Sequence, residues 1–321
     1  MAKLDLKDKK ILYELDINSR QPYNAIAKKV GLSKDSVIYR IKNLQKAGII
    51  RQFHTIIDVG KLGFISFRLY LKFQNTTPEI EQEIIDFFKQ KKIVTWLASR
   101  DGGYNLAVWV LTKKVKEMND LWKEMKKKYL NYIDKKRLTI FTNVSYYPRA
   151  YFLEKKENME EYIFITEPEE VETDNTDIEI LKLLAPDARI PVLEIAKKLN
   201  ITAKTVTARI KELEKKKVII GYRTLFDLDK LGYEYFKVDI DLQNITEEKL
   251  KQFRAFVKMH PNIIYNDEVL GGSDMEIEIQ VKSLQDLRAL INKIKEQFSS
   301  IIKEYDYYLV YDEHKYLFFP L

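Results

Sequence analysis

The chain has 321 residues, of which 45% are hydrophobic and 32% are charged. This length predicts two to four domains, and the composition excludes wholesale disorder. The absence of cysteine excludes disulfides, thiolate nucleophiles and cysteine-ligated metals, and no apolar stretch is long enough for a membrane-spanning helix.

The formal net charge of +7 suggests a polyanionic partner. Residues 1–61 hold 13 Lys/Arg against 6 Asp/Glu, and residues 174–230 hold 12 against 9. Residues 153–176 hold only 2 against 9, which predicts an acidic linker. The charged N-terminus predicts no secretory leader, so we expect a cytoplasmic protein.

The first 57 residues predict three helices and a strand. Apolar residues at helical spacing give a first short helix, and Pro22 opens a second from Tyr23 to Val30. A turn at 31–33 leads into a third helix that ends near Ala47, and the strand from Ile49 to Ile57 is interpreted as a wing. This is the order of a winged helix-turn-helix, whose last helix enters the major groove of DNA.

After Leu62-Gly63 the pattern changes to alternating strands and amphipathic helices. The predicted elements are a strand at Phe64–Phe73, a helix at Pro78–Gln90, strands at Ile93–Ser99 and Tyr104–Leu111, a helix at Lys114–Leu130 and a strand near Arg137–Val144. This βαββαβ order predicts a ferredoxin-like sheet with both helices on one face. We expect the other face to be open and apolar, and therefore to need a partner.

The whole pattern repeats with a shift of 169 residues. Ile-Ala-Lys-Lys at 26–29 recurs at 195–198, and Gly-Gly at 102–103 recurs at 271–272. The fold class is therefore α+β, with two copies of a winged helix-turn-helix followed by a ferredoxin-like domain. The predicted boundaries are 1–62 and 63–151 for the first copy, 152–173 for the linker, and 174–231 and 232–321 for the second. Within the linker, Tyr162 to Ile165 are expected to add a strand.

Helical geometry predicts which side chains of the third helix reach DNA. Val37, Ile41 and Leu44 face the core, so the opposite side carries short polar groups for base edges and basic groups for phosphates. The predicted DNA-binding residues are Lys34, Asp35, Ser36, Tyr39, Arg40, Lys42 and Asn43 in the first copy, and Lys204, Thr205, Ala208, Arg209 and Lys211 in the second.

The sequence resembles the Lrp/AsnC family of feast-or-famine regulators over almost all of each half. The resemblance rests on Asp8, Ile11-Leu12, Arg20, Ile26-Ala27, Gly31-Leu32-Ser33, Val37, Arg40-Ile41, Leu44, Gly48-Ile49-Ile50 and Leu62-Gly63. It implies a sensing domain that dimerises through its sheet and binds an amino acid. Matching the family's sensing turn implies effector sites at Gly102, Gly103, Tyr104 and Asn105, and at Gly271, Gly272, Ser273 and Asp274.

This chain departs from the family pattern in ways that affect function. It carries two units, so we expect the two open sheet faces to pack against each other as an intrachain pseudo-dimer, and the sequence leaves open a further assembly of such chains into a higher homo-oligomer. The paired arginines of the family's recognition helix become Tyr39-Arg40 and Ala208-Arg209, and Lys217 stands where the first copy has Gly48. The second copy is therefore expected to bind DNA more weakly than the first.

Two other functions are consistent with the same two-domain plan. Some proteins with this plan are siroheme decarboxylases, and a ligand sensor that no longer contacts DNA is a third reading. The three histidines are scattered, and adjacent Asp267 and Glu268 on one strand face opposite sides, so neither pattern favours catalysis. We therefore expect a non-enzymatic regulator with no cofactor and no metal, whose partners are double-stranded DNA and a small amino acid.

Overall fold

The computed structural model describes residues 4–154, 161–164 and 170–320. The first copy of the repeat, called unit 1 (residues 4–151), begins with the predicted helix-turn-helix and continues with the predicted βαββαβ order. Its helices are α1 (Leu6–Ile17), α2 (Tyr23–Val30), α3 (Lys34–Lys46), α4 (Pro78–Lys89) and α5 (Val115–Tyr129). Its strands are β1 (Ile50–Ile57), β2 (Ile65–Phe73), β3 (Val94–Asp101), β4 (Leu106–Thr112) and β5 (Ile133–Tyr146).

The linker contributes one short strand, β6 (Tyr162–Phe164), which pairs antiparallel with the end of β5. The strand expected from Tyr162 is therefore present, although Ile165 lies outside the described residues. This strand ties the linker to the ferredoxin-like part of unit 1.

Unit 2 (residues 174–320) repeats these elements and has one more short α-helix, α9, where unit 1 has a 3-10 helical turn at Gly60–Leu62. Its helices are α6 (Asn175–Leu184), α7 (Val192–Leu199), α8 (Ala203–Lys215), α9 (Leu228–Leu231), α10 (Glu247–Met259) and α11 (Leu284–Phe298). Its strands are β7 (Ile219–Phe226), β8 (Glu234–Leu242), β9 (Ile263–Leu270), β10 (Met275–Val281) and β11 (Ile302–Tyr316). In the described part of the chain, no helix has both the length and the apolar character needed to cross a bilayer.

The first strand of each unit pairs with its counterpart in the other unit. β1 and β7 form a two-stranded antiparallel ribbon in which His54 lies opposite Arg223, its own equivalent after the shift of 169. The strand predicted as a wing is thus the seam between the two helix-turn-helix domains. A pseudo-twofold axis passes through this ribbon and relates the two domains.

Two equivalent arginines bridge the helix-turn-helix domains on either side of that axis. Arg20 donates hydrogen bonds to the carbonyl oxygens of Ala188 and Ile190, and Arg189 donates to that of Ser19. Backbone carbonyls buried at a domain seam need donors, and each domain receives them from the other. The two domains therefore form one body.

The two ferredoxin-like sheets close into one barrel. Among the described residues, eight strands form a ring in the order β2-β4-β3-β11-β8-β10-β9-β5, and β5 pairs again with β2. The seams between units are β3 with β11 and β5 with β9. Closure leaves neither sheet with a free edge at these seams, which satisfies backbone groups that would otherwise invite pairing with another chain.

The interior of this barrel corrects one expectation. The sheet face expected to be apolar carries buried charges, because alternate residues of the strands point inward while their neighbours pack under the helices. In β2, for example, Phe67, Leu69 and Leu71 lie in the cluster beneath α4 and α5, whereas Arg68 points into the barrel. The inward charged side chains are Arg68, Arg100, Arg137, Lys237, Asp239, Asp267, Glu276 and Glu278.

Candidate DNA-binding surface and effector sites

The recognition helices α3 and α8 turn most of the predicted DNA-binding residues to the surface. Tyr39 is 67% exposed, which is unusual for an aromatic side chain on a packed helix. Val37 and Val206, at equivalent positions, are fully buried and hold the opposite faces of the two helices. The outward-facing predicted residues are Lys34, Asp35, Tyr39, Lys42 and Asn43 in α3, and Lys204, Ala208 and Lys211 in α8.

The short polar residues at the starts of these helices are engaged in capping. Ser33 caps α3 by accepting a hydrogen bond from the Ser36 backbone, and its hydroxyl also bonds to the Ser36 hydroxyl at 2.9 Å. Thr202 and Thr205 make the same arrangement in α8, with their hydroxyls 2.8 Å apart. Ser33 and Thr202 therefore stabilise the helix starts, and the hydroxyls of Ser36 and Thr205 are engaged by these caps.

Arg40 is held by two carboxylates of α1. Its Nη1 donates to Asp8 Oδ1 at 2.7 Å and to Asp5 Oδ2 at 2.8 Å. The hydrogen bonds to Asp8 and Asp5 raise the pKa of the Arg40 guanidinium. These carboxylates also form the capping box of α1, so one cluster fixes the angle between the first and third helices.

The equivalent pair of contacts between an arginine and two carboxylates is present in unit 2. Arg209 Nη1 lies 2.7 Å from Asp174 Oδ2 and 2.9 Å from Asp177 Oδ1, and hydrogen bonds to these groups raise its pKa. Because both units preserve the arrangement, the arginines position the recognition helices. A phosphate contact from either arginine would compete with two carboxylates that already neutralise it.

The two turns that resemble a sensing site lie against the seams between units. Gly102, with φ +126°, packs so closely on Tyr308 of unit 2 that a Cβ would come within 2.7 Å of its ring. A Cβ on Gly271 would lie 3.3 Å from the Leu138 carbonyl oxygen of unit 1. The glycines are therefore explained by close approach across the barrel seams and by positive φ.

The polar residues of these turns also have structural partners. Asn105 Oδ1 accepts a hydrogen bond from the Phe73 backbone at 2.9 Å, and Asp274 Oδ2 accepts one from the Leu242 backbone at 2.7 Å. Phe73 and Leu242 are equivalent, so both units use the fourth turn residue to close the end of a strand. Tyr104 is half-buried against Tyr70, and Ser273 is buried.

A cavity of about 50 Å³ lies where the barrel meets the helix-turn-helix domains. That space holds a few water-sized atoms. Arg68 lies at its wall, stacked on Trp96 and Phe141 at 4.5 and 4.8 Å, and its Nε and Nη1 have no hydrogen-bond partner among the described residues. Glu313 also lines the cavity, where it accepts a hydrogen bond from Trp96 at 2.7 Å, and burial raises the pKa of its carboxyl.

A buried cluster that sequence reasoning missed joins the cavity region to α1. Asp16 is fully buried and accepts hydrogen bonds from Arg149 Nη1 at 2.6 Å and from the Tyr146 hydroxyl at 2.8 Å. Arg223 approaches the same carboxylate at 3.2 Å. The signal was present, since Asp16 follows Ile11, Leu12 and Leu15 on the buried side of α1, where a lone carboxylate needs a cationic partner.

Comparisons with known proteins agree with the duplicated architecture. A family model described as winged helix-turn-helix DNA-binding matches residues 4–51 and again 173–220. A model described as Lrp/AsnC ligand binding domain matches residues 236–316. In the structure, the corresponding part of unit 1 has the same βαββαβ order.

Among solved structures, the siroheme decarboxylase NirDL, in complex with an iron-uroporphyrin III analogue, is similar over nearly the full length. The match covers 98% of this chain and 94% of that chain, with a TM-score of 0.64 and 14% sequence identity. At that identity the likeness shows a shared fold.

Curated relatives match one unit at a time. The proline dehydrogenase transcriptional activator of Rhodobacter capsulatus is 31% identical over 121 residues, which are 37% of this chain and 79% of the relative. The leucine-responsive regulatory protein of Rhizobium meliloti is 32% identical over 115 residues, or 36% and 74%. The chain, with its paired winged helix-turn-helix domains and joined ferredoxin-like sheets, belongs to the Lrp/AsnC family.

Proposed function

We propose that this chain is a sequence-specific DNA-binding transcriptional regulator that engages DNA with both winged domains at once. The observation that carries the proposal is the pairing of β1 with β7, which holds α3 and α8 in one body about a pseudo-twofold axis. Two recognition helices related in this way suit two half-sites on one face of a duplex, one helical turn of about 34 Å apart or a multiple of it.

The two half-sites are expected to differ. Tyr39 and Asn43 project from α3, whereas the equivalent positions of α8 carry Ala208 and Glu212. A carboxylate and a methyl group offer fewer contacts to phosphates and base edges than a phenol and an amide. The α3 half-site therefore contributes more affinity, and the operator is an imperfect palindrome.

Lys42 and Lys211 are the proposed phosphate contacts, because both are exposed at equivalent positions. Arg40 and Arg209 are assigned a positioning role because their guanidinium groups already bind two carboxylates each. In this assignment, replacing either arginine changes DNA binding by shifting a helix, and replacing either lysine changes it by removing a charge.

The test begins with operator selection from a random duplex pool, followed by fluorescence anisotropy at several salt concentrations. If each winged domain contacts about three to five phosphates, the log–log slope of affinity against salt is roughly −5 to −9. K42A and K211A are each expected to reduce this slope by about one, with the larger loss of affinity for K42A. The matched control is K123A, which removes an exposed lysine of α5.

Binding that is unaffected by K42A and K211A but weakened by K123A would place the DNA surface elsewhere. Footprinting gives a second check, since two unequal protected half-sites per chain are expected. Equal losses for K42A and K211A would overturn the assigned asymmetry.

We also propose a small amino acid as effector, and the cavity beside Arg68 is the site that we favour over the turns. A ligand carboxylate would take the Arg68 hydrogen bonds that have no partner within the described chain, and its ammonium group would face Glu313. At about 50 Å³ the cavity accepts an amino acid only if its aromatic walls, which include Trp109 and Phe318, move apart on binding, and these walls then suit a small apolar side chain. The turns are disfavoured because Asn105 and Asp274 already accept backbone hydrogen bonds.

Calorimetric titration with the standard amino acids tests the effector proposal. Binding that is lost in R68Q and retained in N105A supports the cavity, and the reverse pattern supports the turns. Circular dichroism of both variants checks that each is folded. Uniformly flat titrations of the unaltered chain would remove the effector proposal.

A second candidate function is decarboxylation of siroheme, which the full-length fold likeness to NirDL favours. The two functions are separated by absorbance titration with siroheme and by mass spectrometry of the incubated tetrapyrrole. An unchanged absorption spectrum and an unchanged mass would dismiss the enzymatic function. A loss of carboxyl groups without DNA binding would overturn the regulator.

A further inference from the structure

The charges inside the barrel are sorted by unit. Unit 1 contributes the arginines Arg68, Arg100 and Arg137, of which the first two are almost completely buried. Unit 2 contributes a single cation, Lys237, and the carboxylates Asp239, Asp267, Glu276 and Glu278, each at most 5% exposed. The cationic half-barrel therefore faces an acidic half-barrel.

Several of these charges meet across the boundary between the units. Arg137 Nη2 lies 2.5 Å from Asp239 Oδ2 and 3.9 Å from Glu276 Oε1. Arg68 Nη1 lies 3.9 Å from Glu278 Oε1, and the Tyr70 hydroxyl of unit 1 donates to Glu276 at 3.2 Å. The arginines of unit 1 therefore compensate carboxylates of unit 2.

Within unit 2, the carboxylates outnumber the cation that could neutralise them. Lys237 Nζ lies 2.7 Å from Glu276 and 2.8 Å from Asp267, with Glu278 at 3.8 Å. A single ammonium group balances one of these negative charges. The remainder depend on unit 1, because buried carboxylates without cations are strongly disfavoured.

The two units carry different residue types at equivalent inward positions. Where unit 2 has Asp239, Asp267, Glu276 and Glu278, unit 1 has the uncharged residues Tyr70, Ala98, Ala107 and Trp109. Where unit 1 has Arg100 and Arg137, unit 2 has Val269 and Asp306. The backbone plan is duplicated, but the inward side chains are complementary.

We infer that the barrel interior is a selective interface, which lets unit 1 pair with unit 2 and rejects a second copy of either unit. The charged groups inside a barrel of two copies of unit 1 would all be arginines. A barrel of two copies of unit 2 would enclose two lysines and eight carboxylates. Each arrangement leaves buried charges uncompensated. The linker then favours the partner in the same chain by raising its local concentration.

Two full-length variants test this selectivity by mismatching the same contact from opposite sides. Within the closed chain, R137D replaces the cation that meets Asp239 by a carboxylate, and D239R replaces the carboxylate that meets Arg137 by a guanidinium group. When the two variants are refolded together from urea, they can exchange units and form an assembly of two chains with two barrels. In one barrel Arg137 meets Asp239, as in the natural chain. In the other barrel the aspartate introduced by R137D meets the arginine introduced by D239R. The linker predicted at residues 152–173 is long enough to extend to roughly 70 Å, which permits this exchange.

The expected result is a heterodimer of twice the 38.1 kDa chain mass, with at least tenfold more heterodimer than either homodimer by native mass spectrometry. Each variant refolded alone is expected to be monomeric with a lowered unfolding midpoint, or to aggregate. If a variant aggregates alone, recovery of soluble heterodimer from the mixture still supports the selectivity.

The matched control reverses an exposed pair within α5. K116D and D120K alter a surface ion pair that does not cross the units, so their mixture is expected to stay monomeric. A mixture of R137D and D239R that yields only monomers or aggregates, or homodimers in equal abundance, would overturn the inference.

Discussion

The fully buried carboxylate of Asp16 is expected to stabilise the junction between α1 and the barrel. It is the carboxylate that meets both Arg149, at 2.6 Å, and Arg223, at 3.2 Å, and these arginines are 6% and 1% exposed. D16N preserves the shape and one acceptor oxygen but removes the charge. Two buried guanidinium groups then lose their counter-ion.

Removing one partner from a buried ion pair costs about 3–5 kcal/mol. Because Asn keeps an acceptor for Tyr146 or Arg149, we expect D16N to lower the free energy of unfolding by about 3 kcal/mol. That is a large part of the roughly 5–15 kcal/mol that stabilises a typical domain. Arg223 is poorly solvated because it is only 1% exposed, and this burial lowers its pKa against the attraction of Asp16.

Urea unfolding followed by tryptophan fluorescence and by circular dichroism measures this loss, since Trp96 and Trp109 report on the barrel. The control is D120N, which removes one partner of an exposed ion pair and is expected to change the free energy of unfolding very little, because solvent screens such pairs. R223M added to D16N should recover about 1 kcal/mol by removing a stranded charge. A loss of unfolding free energy for D16N no larger than that for D120N would refute the reasoning. A double variant whose loss equals the sum of the losses for D16N alone and R223M alone would also refute it.

Burial, with a smaller contribution from Lys293, lowers the pKa of His260 to about 4. The neutral imidazole therefore stabilises the fold above its unfolded pKa of about 6.5, and this contribution is lost as the pH falls toward 4. The difference in unfolding free energy between the natural chain and H260Q should therefore change by up to about 3 kcal/mol between pH 7 and pH 4, and a constant difference would contradict this. Lys217 has φ +58° at the position of Gly48, so K217G should raise the unfolding free energy by about 1 kcal/mol and G48A should lower it by a similar amount, both measured by urea titration. A Cβ at Gly102 would collide with Tyr308, so G102A should lower the thermal unfolding midpoint by several degrees, and an unchanged midpoint would show that the seam adapts.

Much of the local structure was predictable because it depends on neighbours in the chain. The boundaries of α2 and the N-cap of α3 at Ser33 matched the predictions from Pro22 and from the turn at 31–33. Helix α1 begins at Leu6 because Asp5 and Asp8 form a capping box, which the spacing of the apolar residues does not reveal. The duplication was evident from identical residues at one constant shift.

The alternation of polar and apolar residues in the barrel strands was visible in the sequence, but it did not indicate which face is buried. In β8, Tyr235, Lys237 and Asp239 alternate with apolar residues, which ordinarily indicates one face in water. Only the closure of β3 on β11 and of β9 on β5 turns that polar face inward. Local periodicity identifies two different faces and does not state what covers each of them.

The remaining features depend on contacts between distant parts of the chain. Asp16 meets Arg149 and Arg223, which lie 133 and 207 positions further along the chain. The ion pair of Arg40 with Asp8 forms only when α1 crosses α3. The strand predicted as a wing was correctly placed, but its partner is its own counterpart in the other unit. The sequence by itself determined the elements, their order and the duplication, since these follow from propensities and spacing within a few residues. Tertiary structure decided which edges and charges meet, because the free energy of a buried ion depends on partners that only folding brings within a few ångströms.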